Sequence, residues 1–220
     1  MRTFKCEQGS AEWHALRMGL PTASSFHKII TPARCEPSKQ ARAYMFELVA
    51  EKLLGVPAQE LDNLPWIQRG KDLEPEAARA YEFQHDLSTE PVGFITNDAG
   101  TIGASPDRLV ISDAGELIGA VELKCPAPHT HIAYWADGFG ADYRVQVQGQ
   151  MYVTGLDWID RCSYHPMLPM VCVRTHRDDE FIGKLATALN VFVEQKEALA
   201  ARLRATGFFE AAAQAVLEAV

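Results

Sequence analysis

The residues with the clearest capacity for chemistry are two carboxylates and a lysine near the middle of the chain. Asp107 is followed, after fourteen residues, by Glu122, Leu123 and Lys124. On a strand, Glu122 and Lys124 point to one face, while Leu123 points into a core and leaves its carbonyl oxygen free to act as a ligand. Two carboxylates and a carbonyl form the hard oxygen site that Mg²⁺ prefers. The lysine supplies a cation that can act on a nucleophilic water or stabilise developing negative charge.

The simplest alternative is a solvated salt bridge between Glu122 and Lys124. The strand around them is predicted to be buried, because its other side chains are apolar: Ile118, Val121, Leu123 and Cys125. Charges in a buried strand need a partner or a function. In addition, the Ser105-Pro106-Asp107 element lies at hairpin distance upstream. We therefore interpret the two carboxylates and the lysine as one site.

A sheet must position these side chains, and the sequence predicts one. Alternating apolar residues and turn residues indicate strands over residues 90–96, 101–105, 107–112, 117–124, 157–164 and 170–175. Helical periodicity predicts helices over residues 10–19, 24–30, 39–54, 64–85, 141–153 and 178–205, with a kink or restart at Pro75 and a short helix after Gly207. This order predicts an α/β (α+β) fold with a mixed central sheet flanked by helices. No linker divides residues 1–220, so we expect one domain.

Composition and charge narrow the class of protein. The chain has 220 residues, 47% of them hydrophobic, and a formal net charge of −8, which is unlike a generally basic nucleic-acid coat but compatible with a local basic groove. The five cysteines are odd in number and lack CxxC spacing, which argues against a disulfide framework or a cysteine-based metal site. With no secretory signal and no long apolar run, a cytoplasmic protein with no membrane span is expected.

Four blocks of sequence, taken together, are more specific than any one motif. They are WHxLRxGxxTAS over residues 13–24, GxxxE over residues 70–74, SPD and ELKCP over residues 105–107 and 122–126, and YRVQVQGQMYVT over residues 143–154. In this order they resemble the phage lambda exonuclease-like family, the YqaJ-type viral recombinases of the PD-(D/E)xK nuclease superfamily. The resemblance covers roughly residues 7–175 and implies a restriction-endonuclease-like core.

The resemblance also implies an activity. It implies a Mg²⁺-dependent, processive 5′-to-3′ exonuclease on linear double-stranded DNA with 5′-phosphate ends, which releases 5′-mononucleotides and leaves 3′ overhangs. Two Mg²⁺ ions are expected, with Mn²⁺ as a substitute and Ca²⁺ as an inhibitor. A ring-shaped homotrimer and a single-strand annealing protein as partner are further implications. The helical part over residues 1–88 would bind the DNA end, and the helices over residues 178–220 carry no matched motif.

Carried onto this sequence, the resemblance gives each site residue a role. The metal ligands would be Asp107, Glu122, the Leu123 carbonyl and Glu74. The adjacent Pro75 affects the direction in which the Glu74 carboxylate points. Lys124 and Gln146 would complete the catalytic set. The residues expected to bind DNA or its 5′-phosphate are Arg17, Ser24, Ser105, Tyr143, Gln150, Arg34 and Ile67. Structural alternatives remain for several of these, since Arg17 could be a surface arginine and Tyr143, Gln146 and Gln150 share one polar helix face.

Two other functions fit the same motif. One is a PD-(D/E)xK endonuclease of the restriction or resolvase type, which would cut covalently closed circular DNA. The other is a nuclease-fold DNA-binding module that has lost catalysis, which the intact Asp107, Glu122 and Lys124 argue against.

A DNA-encircling ring with a charge of −8 per subunit would need its positive charges on the inside, and an acidic exterior would favour sliding.

Overall fold

The strand that carries Glu122 and Lys124 lies at the centre of a mixed sheet. The computed structural model describes residues 1–57 and 65–207, and of residues 65–67 and 142 only the backbone. Its strands are β1 (Arg2–Phe4), β2 (Ser88–Pro91), β3 (Phe94–Thr96), β4 (Gly103–Ala104), β5 (Arg108–Ile111), β6 (Leu117–Lys124), β7 (Trp158–His165) and β8 (Leu168–His176). Within the described residues, five strands form a sheet in the order β2-β5-β6-β7-β8, and β1-β3-β4 form a second sheet.

Helices surround this sheet, as the sequence predicts for an α/β fold. They are α1 (Ala11–Arg17), a 3-10 helix (Ala23–Lys28), α2 (Ala41–Leu54), α3 (Pro65–His85), α4 (Pro128–Asp137), α5 (Asp142–Thr154) and α6 (Asp179–Arg204). The mixed α/β fold class is confirmed. The division into an end-binding part and a nuclease core stays a prediction.

The β5–β6 hairpin sets the geometry of the site. These strands are antiparallel, with Arg108 opposite Val121, so Asp107, the residue before β5, comes beside Glu122. β6 then pairs in parallel with β7, and β7 pairs antiparallel with β8. The parallel connection runs from residue 125 to residue 157 and includes α4 and α5, which fits the rule that parallel neighbours require a long crossover.

Three local features differ from the predictions. Strand β1 and helix α4 were not predicted, although Pro128 at the start of α4 and Gly138 at its end are ordinary boundary residues. Helix α3 does not restart at Pro75 but continues through it for 21 residues in all. Proline has no N–H, so Pro75 cannot donate the helical hydrogen bond to the Lys71 carbonyl. Both residues are exposed, so water can donate to that carbonyl instead. The short helix predicted after Gly207 lies outside the described residues.

A disulfide joins β7 to β8, between Cys162 and Cys172. The cysteine count and spacing argue against a disulfide framework, and they do not predict this single bridge. The two residues face each other across adjacent antiparallel strands, with Cα atoms 4.2 Å apart, a relation that cysteine spacing alone does not reveal. Cys6, Cys35 and Cys125 are free. Among the described residues, no helix combines the length and apolarity needed to span a bilayer.

A close approach between α5 and the 3-10 helix couples the N-terminal region to the core. Gly149 on α5 lies against the ring of Phe26, and a Cβ atom at position 149 would come within 2.5 Å of that ring. Phe26 is fully buried in the cluster that also contains Leu185 and Phe192 of α6. Glycine is thus needed at position 149 because of this contact, which fixes where α5 lies and hence where its glutamines point.

A hydrogen-bond and ionic network around the buried Asp160 ties α3 to the sheet. The Asp160 carboxylate on β7 accepts hydrogen bonds from the Tyr81 hydroxyl of α3 at 2.7 Å and from Arg174 of β8 at 2.8 and 2.9 Å. The Arg174 guanidinium also stacks on Trp158, 3.6 Å from the ring centroid. Because α3 carries Glu74, this network helps to set the position of that carboxylate.

We predict that Asp160→Ala lowers the free energy of unfolding by about 1–3 kcal/mol, because it leaves the buried Tyr81 hydroxyl without its acceptor, whereas Arg174, with 41% of its side chain exposed, can be solvated. Urea or thermal denaturation measures the loss. The matched control is Glu180→Ala on α6, which removes an exposed i,i+4 pair with Lys184 and should change stability little. Equal effects of the two variants would show that the network does not support the fold.

Candidate active site

The Glu122 carboxylate is held by three side-chain donors. Its Oε1 accepts from Lys124 Nζ at 2.5 Å and from Gln146 Nε2 at 2.5 Å, and its Oε2 accepts from Gln150 Nε2 at 2.7 Å. Glu122 is buried, with 3% of its surface exposed, whereas the Lys124 side chain is 30% exposed. The carboxylate is thus fixed from one side by β6 and from the other by α5. The salt bridge considered as an alternative is present, but as part of this larger arrangement.

Asp107 lies against the same segment of β6. Its Oδ2 accepts a hydrogen bond from the Leu123 backbone N–H at 2.6 Å. Desolvation raises the pKa of Asp107 well above its usual value, and the negative charge of Glu122 raises it further, outweighing the opposite effect of Lys124. Asp107 and Glu122 therefore form a pair of mutually repelling carboxylates.

Glu74 on α3 is a third member of this acidic group. Desolvation raises the pKa of Glu74, and Glu122 contributes in the same direction, while Arg108 and Lys124 lower it. Glu74 also contributes to the raised pKa of Asp107. The continuous helix through Pro75 thus leaves Glu74 within electrostatic reach of the carboxylates on β5 and β6.

Lys124 is the cation of the site. Although desolvation opposes it, the Glu122 and Asp107 carboxylates raise the pKa of Lys124 above its usual value. Tyr143 acts in the same direction, which places it near the ammonium group, and its hydroxyl lies 3.0 Å from that of Tyr134. In this arrangement Lys124 is protonated, so it can orient a water molecule or stabilise negative charge.

The donor set fits a hard divalent cation. Among the side chains that the structure describes, no group of three His, Cys, Asp or Glu residues is arranged to hold a metal ion. Mg²⁺ rarely needs such a cage, since it is usually held by one or two carboxylates together with water and substrate phosphates. Asp107 and Glu122 meet that requirement. Desolvation first, and the charge of Glu122 second, raise the pKa of Asp107, and a bound cation would oppose both effects by stabilising the ionised carboxylate.

A second group of predicted residues meets around Trp13 on α1. The Arg17 guanidinium stacks on the Trp13 ring, 3.8 Å from its centroid, and donates to Thr22 Oγ1 at 3.2 Å. The Ser24 hydroxyl lies 3.3 Å from the same Thr22 oxygen. Trp13 Nε1 donates to Ser105 Oγ at 3.0 Å. The three residues predicted to bind a 5′-phosphate are therefore connected to one another, and Ser105 lies two residues before Asp107.

A cavity of about 290 Å³ opens beside this group. Its lining includes Trp13, Arg17, Thr22 and Lys28, together with the carboxylates of Glu47 and Glu51. Lys28 lies 3.4 Å from Glu47, and Glu51 accepts from the Gly19 backbone N–H at 3.0 Å. The lining thus combines charges of both signs with apolar side chains such as Leu20 and Leu48.

The remaining predicted residues are placed less centrally. Arg34 is exposed in the loop before α2, and none of its described contacts connects it to the carboxylates. Ile67 belongs to α3, but its side chain is outside the described part of the chain. Gln150 is 1% exposed, so its described contact is with Glu122 and not with an outer surface. Its Oε1 is buried without a hydrogen-bond partner among the described atoms.

Several residues of the site had no predicted role. Trp13 and Thr22 connect the three residues predicted to bind the 5′-phosphate. Cys125 lies near the acidic group, where desolvation and the negative charge of Asp107 raise the pKa of the Cys125 thiol to about 11. Trp13 and Thr22 do belong to the first sequence block. However, the hydrogen bond from Trp13 spans 92 residues, and no local pattern predicts it.

Comparison with known proteins places these features in a wider group. The sequence-family model that describes the YqaJ-like viral recombinase domain matches residues 12–157 of this chain. The crystal structure of an alkaline exonuclease (LHK-Exo) from Laribacter hongkongensis is 34% identical, with a TM-score of 0.78 over 90% of this chain and 98% of that one. A structure of LHK-Exo in complex with dAMP gives a TM-score of 0.77 with the same identity and coverage.

A more distant structure shares the fold. A phage related exonuclease from Haemophilus somnus 129PT is 18% identical, with a TM-score of 0.66 over 84% of this chain and 96% of that one. No match was found among curated proteins.

The raised pKa of Asp107 leads to a prediction about stability. Asp107→Asn should raise the free energy of unfolding in EDTA, because it removes a desolvated charge next to Glu122 and retains an oxygen for the Leu123 N–H. The unfolded chain ionises Asp107 near 3.8, so the penalty appears as the pH rises above that value and is complete above the folded pKa. The gain should therefore be largest at neutral and alkaline pH and vanish below pH 3.8.

Denaturation in EDTA across this pH range measures the difference, with Asp113→Asn in the exposed turn after β5 as the control. Addition of Mg²⁺ should then stabilise the unmodified protein more than Asp107→Asn. A destabilised Asp107→Asn at neutral pH in EDTA would contradict the acidic-cluster interpretation.

Proposed function

This chain belongs to the YqaJ-like viral recombinase family, and on that premise we propose that it is a Mg²⁺-dependent, processive 5′-to-3′ exonuclease on linear double-stranded DNA. It would release 5′-mononucleotides and leave 3′ overhangs for recombination by strand annealing. The observation that carries the proposal is the Glu122 carboxylate, fixed between Lys124 and two glutamines beside Asp107 in a nuclease fold.

Asp107 and Glu122, with the Leu123 carbonyl and Glu74, are the proposed ligands of the metal ions. Bound Mg²⁺ would lower the pKa of a coordinated water and neutralise charge on the scissile phosphate; Mn²⁺ would substitute for it, and Ca²⁺ would bind without supporting turnover. Lys124 would orient the attacking water and stabilise the negative charge that develops on the phosphate. Gln146 and Gln150 would hold Glu122 in the orientation that this chemistry requires.

The polarity of digestion would follow from the group around Trp13. Arg17 provides a guanidinium that can bind a phosphate through two hydrogen bonds, with the Ser24 and Thr22 hydroxyls beside it. The Trp13–Ser105 hydrogen bond connects this group to the segment that carries Asp107. A terminal 5′-phosphate held there would bring the adjacent phosphodiester bond towards the acidic group. Tyr143, Arg34 and Ile67 are proposed as further DNA contacts.

We also propose a homotrimeric ring around the duplex, a cytoplasmic location and a single-strand annealing protein as partner. Encirclement would account for processivity, because a closed ring cannot leave the duplex between successive cleavages. With a net charge of −8, the ring would carry its positive charges towards the DNA and its acidic surface outward.

Digestion of end-labelled duplexes tests the polarity. Linear DNA labelled at the 5′ end should release labelled mononucleotide at once in Mg²⁺, whereas 3′-labelled DNA should release its label late, and EDTA should stop both. Glu122→Ala should lower the rate by well over ten-fold, because it removes a metal ligand. Rapid cleavage of covalently closed circular duplex would support the endonuclease instead.

A second test concerns the 5′-phosphate. Arg17→Ala should slow digestion of 5′-phosphorylated ends by about ten- to hundred-fold, the equivalent of a charge-assisted contact worth roughly 1.5–3 kcal/mol. It should change the rate on 5′-hydroxyl ends little. Arg17→Lys keeps the charge but loses the two-point geometry, so it should fall in between. Equal slowing on both ends would assign Arg17 a packing role on Trp13.

A further inference from the structure

Arg161 on β7 carries a positive charge that has no carboxylate partner among the described side chains. The residue is half-buried, and its Nε is enclosed without a hydrogen-bond partner among the described atoms. Desolvation lowers the pKa of Arg161, and no neighbouring negative charge offsets this effect. A charge removed from water without a partner is costly, so this position suits a ligand that supplies the missing anion.

Two other arginines show what Arg161 lacks. The Arg161 guanidinium lies over the Phe139 ring, 5.1 Å from its centroid. Arg174 and Arg144 also lie over aromatic rings, 3.6 and 4.6 Å from the centroids. Each of these two also pairs with a carboxylate, 2.8 Å away for Arg174 and 2.7 Å away for Arg144. Arg161 thus has the ring contact of the other two without their anion.

Arg161 lies on the face of the sheet that carries the catalytic residues. In the parallel β6–β7 pair, Glu122 lies opposite Arg161. Neighbouring strands are about 4.8 Å apart, and residues opposite each other point to the same face. Asp160, the residue before Arg161, points to the other face, where it accepts from the Tyr81 hydroxyl of α3. Arg161 is therefore one strand away from Glu122, on the face that α5 covers.

Three aromatic rings connect Arg161 to the end of β6. This aromatic cluster consists of Tyr134, Phe139 and Tyr143, with ring centroids between 4.7 and 6.1 Å apart. Desolvation and the hydrogen bond with Tyr143 raise the pKa of Tyr134 to about 12, while the Lys124 ammonium acts in the opposite direction. Lys124 is therefore within electrostatic reach of the cluster, which extends from that ammonium to the Arg161 guanidinium.

The order of the strands separates Arg161 from the 5′-phosphate group. Ser105 and Asp107 approach Glu122 from the β5 side, whereas β7 lies on the other side of β6. With a terminal phosphate at Arg17 and the scissile bond at the acidic group, the rest of the strand continues across β6 towards β7. That part of the strand carries a negative phosphate at every nucleotide. A guanidinium without an anion matches one of these phosphates in charge and geometry.

We propose that Arg161 binds an internal backbone phosphate of the digested strand, on the 3′ side of the scissile bond, an assignment that rests on the proposed 5′-to-3′ exonuclease function. The aromatic cluster positions the guanidinium for this contact. The strand would then be held at three points: the terminal phosphate at Arg17, the scissile phosphate at the metal ions and the internal phosphate at Arg161. Arg161 would bind the strand without taking part in the chemical step.

Neutral methylphosphonate linkages test this contact directly. Each 5′-phosphorylated duplex carries one such linkage, placed second, third or fourth from the 5′ end, and release of the first nucleotide in Mg²⁺ is measured below saturation. One of these linkages should slow the unmodified protein about ten-fold, as expected for loss of a charge-assisted contact. Arg161→Met, which keeps a long side chain against Phe139, should be about ten-fold slower on unmodified DNA and lose nothing more at that linkage.

Arg144→Met is the matched control, because the Arg144 guanidinium also lies over a ring but is already paired with Asp178. This variant should remain as sensitive to the neutral linkage as the unmodified protein. If Arg161→Met and the neutral linkage cause independent, multiplicative losses at every position, Arg161 does not contact these phosphates and the assignment fails.

Binding of the same duplexes in EDTA, followed by fluorescence anisotropy, measures the contact without catalysis. Arg161→Met should raise Kd about ten-fold and lower the slope of log Kd against log salt by about one, whereas Arg144→Met should change neither. If this binding effect is present but DNA is not digested from its 5′ end, the exonuclease function fails and the phosphate contact stands. If digestion is normal and Arg161→Met binds DNA like the unmodified protein, Arg161 has only a packing role on Phe139.

Discussion

The register of the β5–β6 hairpin is the constraint on which the rest of the site depends. It brings Asp107 beside Leu123, whose N–H fixes the Asp107 carboxylate, and it turns Glu122 and Lys124 to the same face. A shift of one residue would place Glu122 and Lys124 on the opposite face of the sheet. Gln146 and Gln150 of α5 can donate to Glu122, and Glu74 of α3 can lie near it, only because this hairpin fixes the position of the Glu122 carboxylate.

The electrostatics of the site work against the stability of the fold. Asp107 and Glu74 have raised pKa values because they are desolvated and close to other carboxylates, and Lys124 compensates only part of that charge. A structure selected for stability alone would not group these residues. Their grouping supports the proposed site for a cation and a phosphate, because strongly perturbed carboxylates beside a lysine are more typical of a functional site than of a structural ion pair.

Much of this architecture can be predicted from local sequence. The alternation around Glu122 and Lys124 gives the strand, and the 3.6-residue period of residues 142–154 gives the face shared by Gln146 and Gln150. Contacts between distant segments cannot be predicted in this way. The Trp13–Ser105 hydrogen bond and the Cys162–Cys172 disulfide depend on how strands and helices assemble, and α4 has only a short amphipathic pattern with Ile132 and Trp135 exposed.

The contact between Gly149 and Phe26 has a consequence for how this chain can vary over evolutionary time. Position 149 performs no chemistry, yet any side chain there would push α5 away from the 3-10 helix. Such a shift would move Gln146 and Gln150 away from Glu122 and, at the same time, displace the segment that carries Ser24. Substitution at this glycine should therefore be tolerated only together with a smaller residue at position 26, so the two positions should change as a pair.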